Sequence, residues 1–149
     1  MKDQHSDITR DEEVLRRVLK DKKYGHYDPD LDQPIARNAF RPVENDKDGL
    51  SFYRIEYTSP SKVAQGRIPN GYVVAQIKVA DIHAMGLTIN PKPHTGIEGD
   101  TGPDGHCIIP ELTYKNRKDE AMVICQDRLA VLASNNIVFI PPDNEEQET

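Results

Sequence analysis

Apolar residues fall into short runs along this chain, separated by long polar stretches marked by proline and glycine. Val14, Leu15, Val18 and Leu19 recur at helical spacing behind Thr9-Arg10-Asp11-Glu12, the pattern of a capping box. With acidic residues in its first turn and lysines in its last, this predicts a helix from about Arg10 to Lys22. Its apolar stripe is narrow, so the helix is expected to lie on the surface or to dock on a partner. From Tyr24 to Pro42 no period is visible. Pro29, Pro34 and Pro42 bias their predecessors away from helix, and Leu31, Ile35, Ala39 and Phe40 read as single anchors of an irregular segment.

Leu50 to Tyr57 alternates and is rich in aromatic and β-branched residues, which predicts a strand. Ser59-Pro60 opens a short helix that Gly66 stops, and Arg67 to Gly71 is a turn-bearing loop. Tyr72 to Val79 is a second strand. Ala80 to Met85 gives one or two helical turns closed by Gly86, and Leu87 to Ile89 resumes extended structure. The prolines and glycines of Asn90 to Gly105 exclude regular structure and mark a functional loop. Cys107 to Ile109 is a short strand. A long helix over Arg117–Ala133 follows, with Ala121, Met122, Cys125, Leu129 and Leu132 on one face. Ile137 to Ile140 forms a last strand before Pro141-Pro142.

These elements predict one α+β domain over residues 9–142. A small mixed or antiparallel sheet packs on one long C-terminal helix, and a separate N-terminal helix sits outside. Residues 1–8 and the acidic tail, residues 143–149, are expected to be disordered. The stretch Phe40 to Tyr57 organises the chain: its Asp46-Lys47-Asp48-Gly49 turn runs into the best strand. A second turn, Asp104-Gly105, also feeds an apolar run, and a functional site is expected where these two turn-to-strand junctions meet.

Composition changes the picture little. At 149 residues, 36% apolar and 30% charged, the chain holds a modest core and a well-solvated surface. A net charge of −6 argues against nucleic acid as the main partner. No apolar run approaches the roughly 18–20 residues that span a bilayer, and the N-terminus is too polar for a signal peptide, so a cytoplasmic protein is expected. Cys107 and Cys125 read as small buried hydrophobes rather than a disulfide or a zinc site.

The candidate chemistry gathers on the two loops. His94 and His106 flank the glycine-rich stretch; converging on one pocket, they could act as base and acid in phosphodiester cleavage, because imidazole exchanges protons near neutral pH. Arg41, Ser51 and Tyr53 are the substrate-binding candidates, with Tyr57 as a further orienting group and Arg54, Arg67 and Lys92 as other possible cations. The opposing reading of His94 and His106 is a solvated loop histidine and a turn residue. His83 reads as a surface or boundary residue. Asp100 to Glu111 matches a calcium loop at the first, fifth, sixth and twelfth positions but has Gly102 at the third. Glu44 to Ile55 matches at the first, third, fifth and sixth but ends on isoleucine. Both are read as acidic turns. His26 with Asp28, Asp30 and Asp32 could ligate a metal, yet reads more simply as a solvated loop. Ser51 lacks the glycine and helix of a nucleophile elbow. Neither a metal nor a cofactor is called for.

Phe40-Arg41-Pro42, Asp48-Gly49-Leu50-Ser51-Phe52-Tyr53 and Gly105-His106-Cys107-Ile108-Ile109 together resemble an uncharacterised family of small bacterial proteins with an F-R-P … D-G-L-S-x-Y … G-H-x-x-I pattern. The likeness spans Phe40 to Ile109, with Phe52 where valine is usual and Cys107 where alanine is usual. It implies a bacterial, cytosolic setting within a gene cassette and no particular activity. The leading expectation is a non-enzymatic interaction component, an adaptor or accessory subunit with a protein partner. The alternative is a small hydrolase acting on a phosphodiester or nucleotide through His94 and His106. Geometry separates them: imidazoles more than about 10 Å apart could not reach one substrate group.

Overall fold

A computed structural model describes residues 3–20 and 22–142. Six strands form one antiparallel sheet, β1 (Glu13–Leu19), β2 (Leu50–Arg54), β3 (Tyr72–Lys78), β4 (Asn90–Pro91), β5 (His106–Ile109) and β6 (Ile137–Phe139), in the order β4-β5-β2-β1-β3-β6. Helices α1 (Pro60–Val63), α2 (Val79–Ala84) and α3 (Glu120–Ser134) complete the α+β fold. No helix among the described residues is long and apolar enough to cross a membrane.

The separate N-terminal helix is a correction. Residues 13–19 are a strand, and an interior one, pairing with β2 on one side and along its whole length with β3 on the other. Val14 and Val18 enter the main core, while Leu15 points to the opposite face and is buried there too. A strand covered on both faces loses period-2 alternation, so its apolar positions imitate helical spacing. The capping-box residues serve a turn instead: Thr9 N–H donates to the Glu12 carboxylate at 2.7 Å, and Glu12 N–H closes on the Thr9 carbonyl at 3.1 Å.

The sheet has two unlike faces. On one, α3 and the 3-10 turn Arg37–Phe40 cover Val14, Val18, Phe52, Val73, Ala75, Ile77, Cys107 and Ile109. Each such fully buried aliphatic or aromatic side chain contributes about 1.5–3 kcal/mol relative to exposure. Ile35, Ala39 and Phe40 are the anchors expected of the irregular segment, but Leu31 is 58% exposed and anchors nothing. Arg16 fastens this segment: its guanidinium lies over Phe40 and Phe52 and donates to the Ala39 carbonyl at 2.6 Å and the Ser51 carbonyl at 2.8 Å. On the other face, α1 covers a small cluster of Leu15, Tyr53, Val63, Ala64 and Val74. The side chains of Ser51 and Tyr53 also project on this face, which is left to the loop between β4 and β5.

Residues 3–8, in the stretch expected to be disordered, carry hydrogen bonds to the body of the fold. Arg54 is buried at the end of β2 and donates to both Glu12 oxygens at 2.8 and 3.0 Å, to the Ser6 carbonyl at 2.8 Å and to the Gln4 carbonyl at 3.2 Å. Burial alone would lower its pKa, but the bonded Glu12 carboxylate outweighs that and raises it. The Gln4 side chain in turn accepts from Gly105 N–H at 2.9 Å. The expected disorder of the tail, residues 143–149, lies outside the described residues.

Candidate active site

Antiparallel pairing of β2 with β5 sets Tyr53 opposite His106 and Ser51 opposite Ile108. Ser51, Tyr53 and His106 therefore share the face opposite α3. The two turn-to-strand junctions do not meet, because antiparallel strands place them at opposite ends of this pair. Beside the first junction the Lys92 ammonium is bonded to Asp48, whose carboxyl is thereby held below its usual pKa. Gly49, at the first junction, packs so closely on the Ile109 carbonyl that a Cβ would overlap it.

His94 and His106 come together. Their rings stack with centroids 4.2 Å apart and planes 21° apart, far inside the 10 Å limit. Tyr53 flanks both, at 5.8 Å from His94 and 5.3 Å from His106. Each imidazole is fixed at both nitrogens. His106 Nδ1 lies 2.6 Å from the Lys92 carbonyl, which only accepts, so this nitrogen carries a proton. Its Nε2 lies 3.0 Å from Ser51 Oγ. His94 Nδ1 donates to Asp100 Oδ1 at 2.8 Å, and its Nε2 lies 3.0 Å from the Tyr53 hydroxyl. Two relays therefore run side by side, Ser51–His106–carbonyl and Tyr53–His94–carboxylate.

The loop that supplies His94 is built around Asp100. Its second oxygen accepts from Thr95 N–H and the Thr95 hydroxyl, both at 2.9 Å. Those bonds, led by the backbone N–H and joined by His94, hold the Asp100 carboxyl far below the usual range. The loop then passes directly over His94 and the Tyr53 hydroxyl. At Gly102, φ is +155° and a Cβ would stand 2.7 Å from His94 Nε2 and 3.3 Å from the Tyr53 hydroxyl, so only glycine fits.

Burial governs the electrostatics. His106 is 8% exposed, and its pKa falls to about 4, chiefly through desolvation, against the raising effect of the Lys92 carbonyl. It is therefore a neutral imidazole at neutral pH. Burial raises the Tyr53 phenol, with Arg17 beside it pulling the other way. Burial also pushes up the thiols of Cys107 and Cys125, which are unpaired and unsuited to nucleophilic work.

Of the expected substrate-binding groups, Ser51 and Tyr53 join the histidines and Arg41 does not. Arg41 lines a separate cleft of about 440 Å³ with His26, Asn38, Tyr114 and Arg117. Tyr57 donates to the Asp3 carbonyl, and Arg54 is consumed by Glu12 and the N-terminal segment. Lys92 does border the site, and its charge acts on His106. Sequence reasoning missed Arg17 and the role of Asp100. Arg17 follows Leu15 by two residues on a strand, so it shares the face of Tyr53; assigned to a helix, it had no place there.

Among the described residues, no group of three or more His, Cys, Asp or Glu side chains is placed to hold a metal ion. In the calcium-like loop, Asp100 is bonded to His94 and Thr95, and Glu111 accepts from Thr88 N–H at 2.9 Å and from its hydroxyl.

No protein-family model matches the chain, and no curated protein or solved structure is significantly similar to it.

Proposed function

We propose that this chain is a small hydrolase acting on a phosphodiester or nucleotide, with His94 and His106 as its acid–base pair. The observation that carries the reading is the stacked histidine pair, with ring centroids 4.2 Å apart and each ring tied to a hydroxyl on one side and an acceptor on the other. His106, neutral and with its Nε2 lone pair free to receive a proton, is the base. His94, oriented by Asp100, is the acid, delivering its Nε2 proton to the leaving oxygen directly or through the Tyr53 hydroxyl. Lys92 and Arg17 supply positive charge for a phosphate. The setting is cytoplasmic, in keeping with two unpaired cysteines. Turnover of bis(p-nitrophenyl) phosphate and of a panel of cyclic and linear nucleotides tests this. Wild type is expected to hydrolyse at least one, and His94→Ala with His106→Ala to abolish it while the circular-dichroism spectrum is kept. No turnover of any phosphodiester would refute the reading.

A non-enzymatic interaction component is the second reading. It is favoured by the outer side of α3, where Ile124 and Val131 are each 46% exposed and Met85 and Leu132 line an apolar groove of about 350 Å³. A strictly monomeric protein that captures no partner in its native host, and loses turnover on substitution of His94 or His106, would remove this reading.

A further inference from the structure

In the resting site the proton that the His106 base faces belongs to a protein side chain. The Lys92 carbonyl fixes hydrogen on Nδ1, which leaves the Nε2 lone pair directed at Ser51 Oγ, 3.0 Å away. Carbonyl, imidazole and serine thus stand in the order of an orienting group, a base and a nucleophile. The three groups are held on rigid elements: Ser51 inside β2, His106 opening β5 and Lys92 bonded through its own N–H to the His106 carbonyl at 2.9 Å. The Ser51 carbonyl is also clamped by Arg16 at 2.8 Å, which fixes the backbone that presents Oγ. On the same side, His94 offers a second proton carrier stacked on the first.

We propose that Ser51 is the nucleophile of this site and that the reaction passes through a covalent phosphoseryl diester. This rests on the hydrolytic reading of the His94–His106 pair. In the first step Ser51 Oγ attacks phosphorus. The new O–P bond forms as the bond to the leaving oxygen breaks, the Ser51 proton passes to His106 Nε2, and His94 protonates the leaving alkoxide. In the second step water gives one proton to His94 and attacks the same phosphorus. The Ser51–phosphorus bond breaks, and His106 returns its proton to Ser51 Oγ. The products are an alcohol and a phosphomonoester, and both histidines regain their starting states. Water is the only co-reactant.

Diisopropyl fluorophosphate probes the nucleophile without knowledge of the natural substrate, since it loses fluoride to an activated serine. Intact-mass and peptide mapping of the full chain are expected to find one diisopropylphosphoryl group, on Ser51. Ser51→Ala is expected to take up none and to lose about 100-fold or more in bis(p-nitrophenyl) phosphate turnover while its circular-dichroism spectrum is kept. His106→Gln is expected to slow labelling by a similar factor; iodoacetamide labelling of the native Ser51→Cys protein, mapped to residue 51 as distinct from Cys107 and Cys125, checks that the position is reachable. Turnover that depends on His94 and His106 but survives Ser51→Ala would overturn the nucleophile and leave the hydrolytic reading standing. Labelling only at Tyr53 or elsewhere would also overturn it. A protein that neither turns over nor labels would overturn both.

Discussion

At the scale of single residues, His106 is a group of the candidate site whose protonation the fold alters strongly. Its pKa drops from 6.5 to about 4, so the unfolded chain binds more protons than the folded one between those values. Stability from this group is therefore complete above about pH 6.5 and is lost as pH falls toward 4, on the order of 3 kcal/mol in all. Urea denaturation from pH 7 to 4.5 is expected to show this slope in wild type and a shallower one in His106→Gln; equal slopes would contradict it. Gly102 gives a second expectation. Gly102→Ala must push the loop off His94 Nε2 and the Tyr53 hydroxyl, so it is expected to cost about 1–3 kcal/mol and most of the turnover. An alanine variant as stable and active as wild type would contradict that packing. The two histidines were legible as candidates because they bracket a glycine-rich loop. Their stacking was not, since it depends on Tyr53 facing His106 across β2 and β5. Arg41 was named for its neighbourhood in sequence and lies in another cleft.

At the scale of elements, β2, β3, β5, α3 and β6 were readable because each carries its own period and stop signals. β1 was not. Val14, Leu15, Val18 and Leu19 fit a helix as well as they fit a strand buried on both faces, and Thr9 to Glu12 looked like a cap. Long-range pairing decided the matter: β3 matches β1 from Glu13 to Leu19. Glu12 reveals the difference, since its side chain is only 2% exposed and bonded to fully buried Arg54. Glu12→Ala would leave that guanidinium without its carboxylate, and is expected to destabilise by about 3–5 kcal/mol in denaturant unfolding. A loss under about 1 kcal/mol, the range of an exposed ion pair, would contradict the buried pairing.

At the scale of the molecule, the sheet draws strands from both ends of the chain, with β1 and β6 each hydrogen-bonded to β3. Far-ultraviolet and tyrosine signals are therefore expected to lose structure in one coincident transition, and separated midpoints would contradict a single cooperative unit. Calcium is expected to leave that transition unmoved, because Asp100 and Glu111 are already engaged by His94, Thr95 and Thr88; a rise in melting temperature would show binding. The most direct test of the whole account is a double-mutant cycle on phosphodiester turnover, kcat/KM for wild type, His94→Ala, His106→Ala and the double variant. Two stacked rings working as one acid–base unit should each cost about 100-fold or more when removed, and the double variant should lose little beyond either single one. Single variants that stay within about 3-fold of wild type would contradict the account.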